Sequence, residues 1–126
     1  MKRATAVVFL LAVLGCGTDP ADGPTRIRLV NQAGVPMEAV VVTFPSSTED
    51  YGTIAPGAAT DYRAVGQAYR YAKIEATIEG QPAIILPIDY VGEELLGRGD
   101  FEYVLGYDPT ATSPYGRLLL LRYAGE

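Results

Sequence analysis

The chain contains no histidine, no tryptophan and a single cysteine, Cys16. Without histidine it lacks the commonest general base and the commonest transition-metal ligand, which excludes zinc hydrolases and Ser-His-Asp or Cys-His catalytic sites. A lone cysteine cannot form a disulfide within the chain. We therefore expect a protein that is not an enzyme and has no cofactor or metal, although catalysis by Asp, Glu and Tyr alone stays open.

Positive charge is also scarce, since 10 lysines and arginines stand against 15 aspartates and glutamates, for a net charge of −5. Proteins that bind nucleic acid or anionic headgroups through charge need basic residues to neutralise the phosphates. The composition therefore argues against nucleic acid as a partner. It also predicts that electrostatics alone will not hold the protein on a membrane.

Cys16 ends a short apolar segment that follows a basic amino terminus. The basic pair Lys2-Arg3 precedes the run Ala6–Leu14, which is too short to span a bilayer as a helix, and the small residue Gly15 precedes the cysteine. This pattern resembles the lipobox of bacterial lipoproteins, which signal peptidase II reads. The resemblance implies that Cys16 is acylated and becomes the amino terminus of a membrane-anchored protein.

The lipobox divides the chain into three parts. Residues 1–15 are the expected cleaved signal peptide, residues 16–24 are a Gly-, Pro- and Asp-rich tether behind the lipidated cysteine, and residues 25–126 form one domain. By resemblance to the sorting rule of enteric bacteria, Gly17 after the cysteine favours the outer membrane over the inner one. We expect a lipid anchor in the cell envelope.

From Thr25 onward the apolar residues recur with a period of two, and no segment shows a helical stripe. The pattern predicts an all-β domain of seven or eight strands, most simply an antiparallel two-sheet β-sandwich, because two half-apolar sheets bury each other's inner faces. Immunoglobulin-like and transthyretin-like topologies both fit. The predicted strands are 26–30, 37–44, 51–54, 60–65, 69–78, 83–90, 101–107 and 117–123.

Three of these strands carry more specific expectations. Met37–Phe44 is apolar on both faces, which predicts a central position. Pro82 and Pro87 cannot donate to a strand ladder, so Ala83–Tyr90 is expected at a sheet edge. The run Leu118–Leu121 predicts a core strand covered on both sides, with an exposed edge that binds another molecule as the alternative.

The stretch Val30–Val41 combines the turn Gly34-Val35-Pro36 with a strand that begins Ala39-Val40-Val41. It resembles the opening of transthyretin-like and carboxypeptidase-regulatory-like domains. The later part of the chain lacks the Asp-x-x-Gly signal of that family. As a whole, the mature chain is similar to small β-rich lipoproteins of bacteria, a likeness that implies no activity.

Two sets of residues are candidate sites. Asp89, Glu93, Glu94 and Asp100 cluster around one loop and are weak candidates for calcium ligands, with a solvated acidic loop favoured. Tyr69 and Tyr71 could form a binding face if they lie beside other members of the chain's 9 tyrosines.

The segment Arg98-Gly99-Asp100 matches the tripeptide that integrins recognise, but it is expected simply to turn the loop into the next strand.

We expect an interaction or structural module of the cell envelope with an envelope protein as partner; the alternative is a module that binds a small ligand or a carbohydrate.

Overall fold

The computed structural model describes residues 24–125, which form a β-sandwich of two four-stranded sheets. The expectation of an all-β sandwich with eight strands is confirmed. The elements are β1 (Thr25–Asn31), β2 (Met37–Thr43), β3 (Thr48–Ile54), β4 (Arg63–Ala64), β5 (Lys73–Ile78), β6 (Gln81–Ile85), β7 (Gly99–Tyr107), α1 (Pro114–Arg117) and β8 (Leu118–Gly125).

The first sheet has the strand order β4-β1-β7-β8, and the second has the order β3-β2-β5-β6. All neighbouring strands are antiparallel except β1 and β7, which run parallel with Arg26 opposite Asp100 and Arg28 opposite Glu102. The first two strands therefore lie in different sheets. In an immunoglobulin-like sandwich they share a sheet, so of the two expected topologies the transthyretin-like one remains.

The core lies between the sheets and is built by strands that alternate between buried and partly exposed residues. In β5, Ile74, Ala76 and Ile78 are buried while the intervening residues face outward, as the period of two predicts. β2 lies between β3 and β5, which confirms the expected central position, and β6 is an edge strand in which Pro82 stands opposite Thr77.

Asn31 holds one end of the sandwich together, although the sequence suggested only a turn residue. Its side chain is fully buried and its amide nitrogen donates to the carbonyl oxygens of Val35 at 2.8 Å and Ile54 at 2.9 Å. Its side-chain oxygen accepts from the Ala33 amide at 2.8 Å. The turn that follows Ile54 closes with a 3.0 Å bond from the Ala58 amide to the Ala55 carbonyl oxygen.

Several predicted strands have different bounds in the structure. The strand expected over 69–78 begins at Lys73, the one expected over 60–65 shortens to Arg63–Ala64, and the one expected over 83–90 becomes Gln81–Ile85. β3 starts at Thr48, three residues before the strand expected over 51–54. Tyrosines at positions 69, 71 and 90 are therefore in loops.

The prediction that Leu118–Leu121 form a covered core strand is wrong. β8 is an edge strand in which Leu119 and Leu121 are exposed. Leu118 is buried in the core and Leu120 packs against it, so alternation along the strand turns Leu119 toward the outer face, and the register shift at Val104/Leu105 falls at Leu121. Gly106 lies beneath Leu121 on the outer face. Leu119 and Leu121 therefore partly cover the outer face of their own sheet.

The short helix α1 was not predicted. Ser113 caps it by accepting a hydrogen bond from the Tyr115 amide, and Pro114 occupies its first turn, both typical of helix starts. No helix within residues 24–125 is long and apolar enough to span a bilayer. Cys16, the signal peptide and all of the expected tether except Pro24 lie outside the described residues.

Candidate functional site

Three half-buried tyrosines stack on one another at the end of the sandwich where β1 and β7 begin. The Tyr90 ring lies 4.4 Å from the Tyr69 ring at an interplanar angle of 13°, and 5.4 Å from the Tyr71 ring at 16°. These residues are named here the tyrosine cluster. The predicted pair is thus brought together by a third tyrosine from the loop after β6.

Hydrogen bonds connect the two loops that carry the tyrosine cluster. Between the loops, the Leu96 amide donates to the Ala68 carbonyl oxygen at 2.8 Å, while the bond of 3.0 Å from the Glu93 amide to the Tyr90 carbonyl oxygen lies within the loop after β6. The Tyr71 hydroxyl donates to the carbonyl oxygen of Asp89 at 3.3 Å. The loops therefore form one connected surface.

A core residue supports the cluster from below. Tyr103 of β7 is fully buried, and its hydroxyl donates to the Tyr69 carbonyl oxygen at 2.5 Å. Its ring also stacks on Phe44 with centroids 6.4 Å apart. Because β7 is an inner strand of the first sheet, this contact connects the cluster directly to the most rigid part of the sandwich.

An ion pair lies beside the tyrosine cluster. The guanidinium of Arg70 bonds the Glu93 carboxylate through Nη2 at 2.8 Å and through Nε at 3.2 Å. The two residues lie on the wall of an open crevice of about 400 Å³, which is also lined by Gly92, Glu94, Leu95, Leu96 and Tyr123. The crevice thus offers two carboxylates, one guanidinium and one aromatic ring.

The electrostatics of the cluster keep the hydroxyls of Tyr71 and Tyr90 protonated. Loss of hydration raises the pKa of Tyr71, and the nearby charges of Glu93 and Asp89 raise it further. Loss of hydration is also the main cause that raises the pKa of Tyr90. The hydrogen bond from Arg70 to Glu93 raises the pKa of that guanidinium. Tyr71 and Tyr90 therefore present neutral hydroxyls as hydrogen-bonding groups.

The four calcium candidates do not converge on one point. Glu93 bonds Arg70, Asp100 bonds Arg26 across the parallel strand pair at 2.7 Å, and an Asp89 oxygen accepts from the Val91 amide at 3.0 Å. Glu94 lies on the crevice wall. Among residues 24–125, no group of three Asp, Glu, Cys or His side chains could hold a metal ion.

The segment Arg98-Gly99-Asp100 leads into β7. Gly99 is the first residue of that strand, and the Asp100 carboxylate is occupied by both Nε and Nη2 of Arg26. A similar ion pair joins Arg28 and Glu102 two residues further along the same two strands, with bonds of 2.8 and 2.9 Å. These pairs fix the register of β1 against β7.

Comparison with known proteins adds fold information. No protein-family model matches the chain, and no curated protein matches it. An NMR structure of a protein from Eubacterium rectale is similar, with a TM-score of 0.56 and 16% sequence identity, covering 84% of this chain and 96% of that one. At this identity the likeness shows the sandwich fold.

Sequence reasoning missed two members of the site. Tyr90 ends the strand predicted over 83–90, and it would lie opposite Tyr69 if the register of β5 against β6 continued that far, but it was not named with Tyr69 and Tyr71. Arg70 carried no prediction. The acidic residues around Glu93 did indicate that a cation is needed nearby, because burying even part of an unpaired carboxylate is costly. The pairing crosses 23 residues of sequence, so no local pattern identifies it.

Proposed function

We propose that this protein is a lipid-anchored, non-enzymatic interaction module of the cell envelope that binds a protein partner through the tyrosine cluster and the adjoining crevice. The anchor is supported by the lipobox resemblance around Cys16. The binding surface is supported by one observation above all, the stacking of Tyr90 on both Tyr69 and Tyr71. These residues supply a large aromatic area at the edge of a polar crevice.

Such a surface suits protein recognition for two physical reasons. Tyrosine rings that already stack lose little conformational freedom on binding, so the cost of ordering them is met during folding. Their hydroxyls and the Arg70–Glu93 pair supply polar groups around the aromatic area, which resembles the division of interfaces into an apolar centre and a polar rim. Interface hot spots are enriched in tyrosine and arginine.

The test is site-specific crosslinking in the native envelope. A photoreactive amino acid replaces Glu94 on the crevice wall, and the matched control carries it at Thr110, an exposed residue at the opposite end of the sandwich. We expect a defined crosslinked protein at position 94 that is absent at position 110 and lost in Cys16→Ser. Equal crosslinking at both positions, or none at position 94, would contradict the proposal.

A carbohydrate is the second candidate ligand, and the composition of the crevice favours it. Arg70, Glu93 and Glu94 provide hydrogen-bonding groups beside the ring of Tyr123, a combination that can bind a sugar. The stacking within the tyrosine cluster argues against it, because it occupies ring faces that a pyranose would use. Titration with envelope glycans decides: binding that Tyr123→Ala abolishes and Tyr115→Ala preserves would favour the sugar.

A further inference from the structure

The loop after β6 exposes apolar side chains to an unusual degree. Eight large apolar side chains are exposed within residues 24–125, and three of them lie in the short segment 86–91. Leu86 is 55% exposed, Ile88 98% and Val91 87%. Side chains this exposed contribute nothing to the core, and clustered apolar surface marks a contact with another apolar phase.

The described chain begins beside the same loop. The Pro24 carbonyl oxygen accepts a hydrogen bond from the Gly99 amide at 3.0 Å, and the Thr25 hydroxyl donates to the Gly97 carbonyl oxygen at 2.8 Å. Thr25 is itself buried. The point at which the tether joins the domain is therefore fixed to the carboxyl-terminal end of the loop that carries the exposed side chains.

The length of chain outside the structure limits how far this end can be from the anchor. Seven residues lie between Cys16 and Pro24, so the eight steps from one to the other, at about 3.3–3.6 Å each, let the tether reach at most about 29 Å. A domain of about 100 residues has a radius of gyration of about 13 Å. The end of the sandwich with the apolar loop therefore lies nearer to the lipid surface than the opposite end does.

The geometry points to the segment 86–91 as a second membrane contact, in which Leu86, Ile88 and Val91 enter the interfacial region of the bilayer that holds the lipid anchor. This inference rests on the proposed function, because without acylation of Cys16 nothing holds the loop at a membrane.

The charges around the loop indicate whether it contacts an anionic or a zwitterionic membrane surface. Asp89 and Glu94 are exposed, Glu93 is paired with Arg70, and Arg98 is the other nearby cation. The balance is slightly negative, so an anionic surface would repel the loop while a zwitterionic one would not. The contact is thus apolar in origin, and we expect it to depend little on salt.

The absence of tryptophan from the chain provides a direct test. Ile88→Trp introduces the only tryptophan, and Tyr115→Trp is the matched control, since Tyr115 is 62% exposed at the opposite end of the sandwich. The full chain, processed in bacteria, is reconstituted in phosphatidylcholine vesicles with and without brominated acyl chains. Val91→Trp gives a second, independent position in the loop.

We expect the tryptophan of Ile88→Trp and of Val91→Trp to emit at shorter wavelength in vesicles and to be quenched by brominated lipid, while that of Tyr115→Trp does neither. Flotation with vesicles and the mass of the acylated cysteine are measured on the same samples.

Emission typical of water in an acylated, floating protein would overturn the membrane contact alone. A blue shift without quenching would mean that protein covers the loop and would also overturn it. Missing acylation would overturn the proposed function as well.

Discussion

The hydroxyl of Tyr103 is the clearest single support of the tyrosine cluster, and Tyr103→Phe tests it. The substitution keeps the ring and its stacking on Phe44, so it leaves no cavity. It removes one hydrogen bond, the 2.5 Å bond from the hydroxyl of the fully buried Tyr103 to the carbonyl oxygen of the half-buried Tyr69. The perturbation is therefore confined to one polar contact between the core and the site.

The expected loss of stability follows from the partial burial of this hydrogen bond. A neutral hydrogen bond contributes about 0.5–1.5 kcal/mol, and an acceptor left unsatisfied in the interior costs about 1–3 kcal/mol. We expect Tyr103→Phe to lower the free energy of unfolding by about 1–2 kcal/mol. For a domain of this size that corresponds to a fall in Tm of about 4–8 °C for each kcal/mol.

The assay is urea unfolding of the chain carrying Cys16→Ser, with near-ultraviolet circular dichroism as a second reading of the stacked tyrosines. Tyr115→Phe is the control, because its hydroxyl is on an exposed ring and surface changes usually stay within about 0.5 kcal/mol. Equal stability of the two variants, with unchanged aromatic dichroism, would refute the reasoning that Tyr103 supports the cluster.

Three further predictions concern stability. Burial raises the pKa of Tyr103 above its ordinary value of 10.0. Above about pH 10, therefore, the unfolded chain loses a proton that the folded chain keeps. The free energy of unfolding then falls with rising pH, by up to about 1.4 kcal/mol per pH unit. Unfolding measured across a pH series should show this fall, shallower in Tyr103→Phe, and a flat profile would contradict it. Asn31→Ala removes the three hydrogen bonds of a fully buried side chain, one buried and two partly buried, and should cost about 3 kcal/mol in urea unfolding. The exposed neighbour change Gln32→Ala should cost little, and similar values for both would be inconsistent with the role of Asn31. Gly57 has a φ of +77°, so Gly57→Ala should lower the free energy of unfolding by about 1 kcal/mol through backbone strain. At Gly97 an added Cβ also meets no atom within 4 Å, but the backbone has no such φ, so Gly97→Ala should not lower it. Thermal unfolding of the two variants tests the difference.

Local patterns predicted the strands but not their partners. The alternation in Ile74–Ile78 identifies β5 because side-chain direction depends only on neighbouring residues. The parallel pairing of β1 with β7 joins residues 74 positions apart. Only the opposite charges of Arg26 and Arg28 on one strand and of Asp100 and Glu102 on the other indicate this pairing. They can be matched only once the two strands are known to be adjacent.

The errors have a common physical cause. Four consecutive leucines indicate burial on both faces, but β8 is an edge strand in which Leu118 and Leu120 face the core while Leu119 and Leu121 are exposed. Whether the outer face is covered depends on tertiary context and not on the local sequence. Likewise, Tyr69, Tyr71 and Tyr90 have strand-forming side chains, yet they lie in loops because tertiary contacts outweigh intrinsic preference. The candidate pair of tyrosines was identified from abundance, whereas its stacking partner required the fold.

The central claim is that Cys16 anchors this domain to a membrane. The most direct measurement is the intact mass of the full chain isolated from a bacterial envelope, with fragmentation of its amino-terminal peptide and Cys16→Ser as control. We expect a chain that begins at Cys16 and carries the mass of a diacylglyceryl group, and an unlipidated product from Cys16→Ser. A chain that retains residues 1–15, or one with an unmodified Cys16 thiol, would contradict the claim.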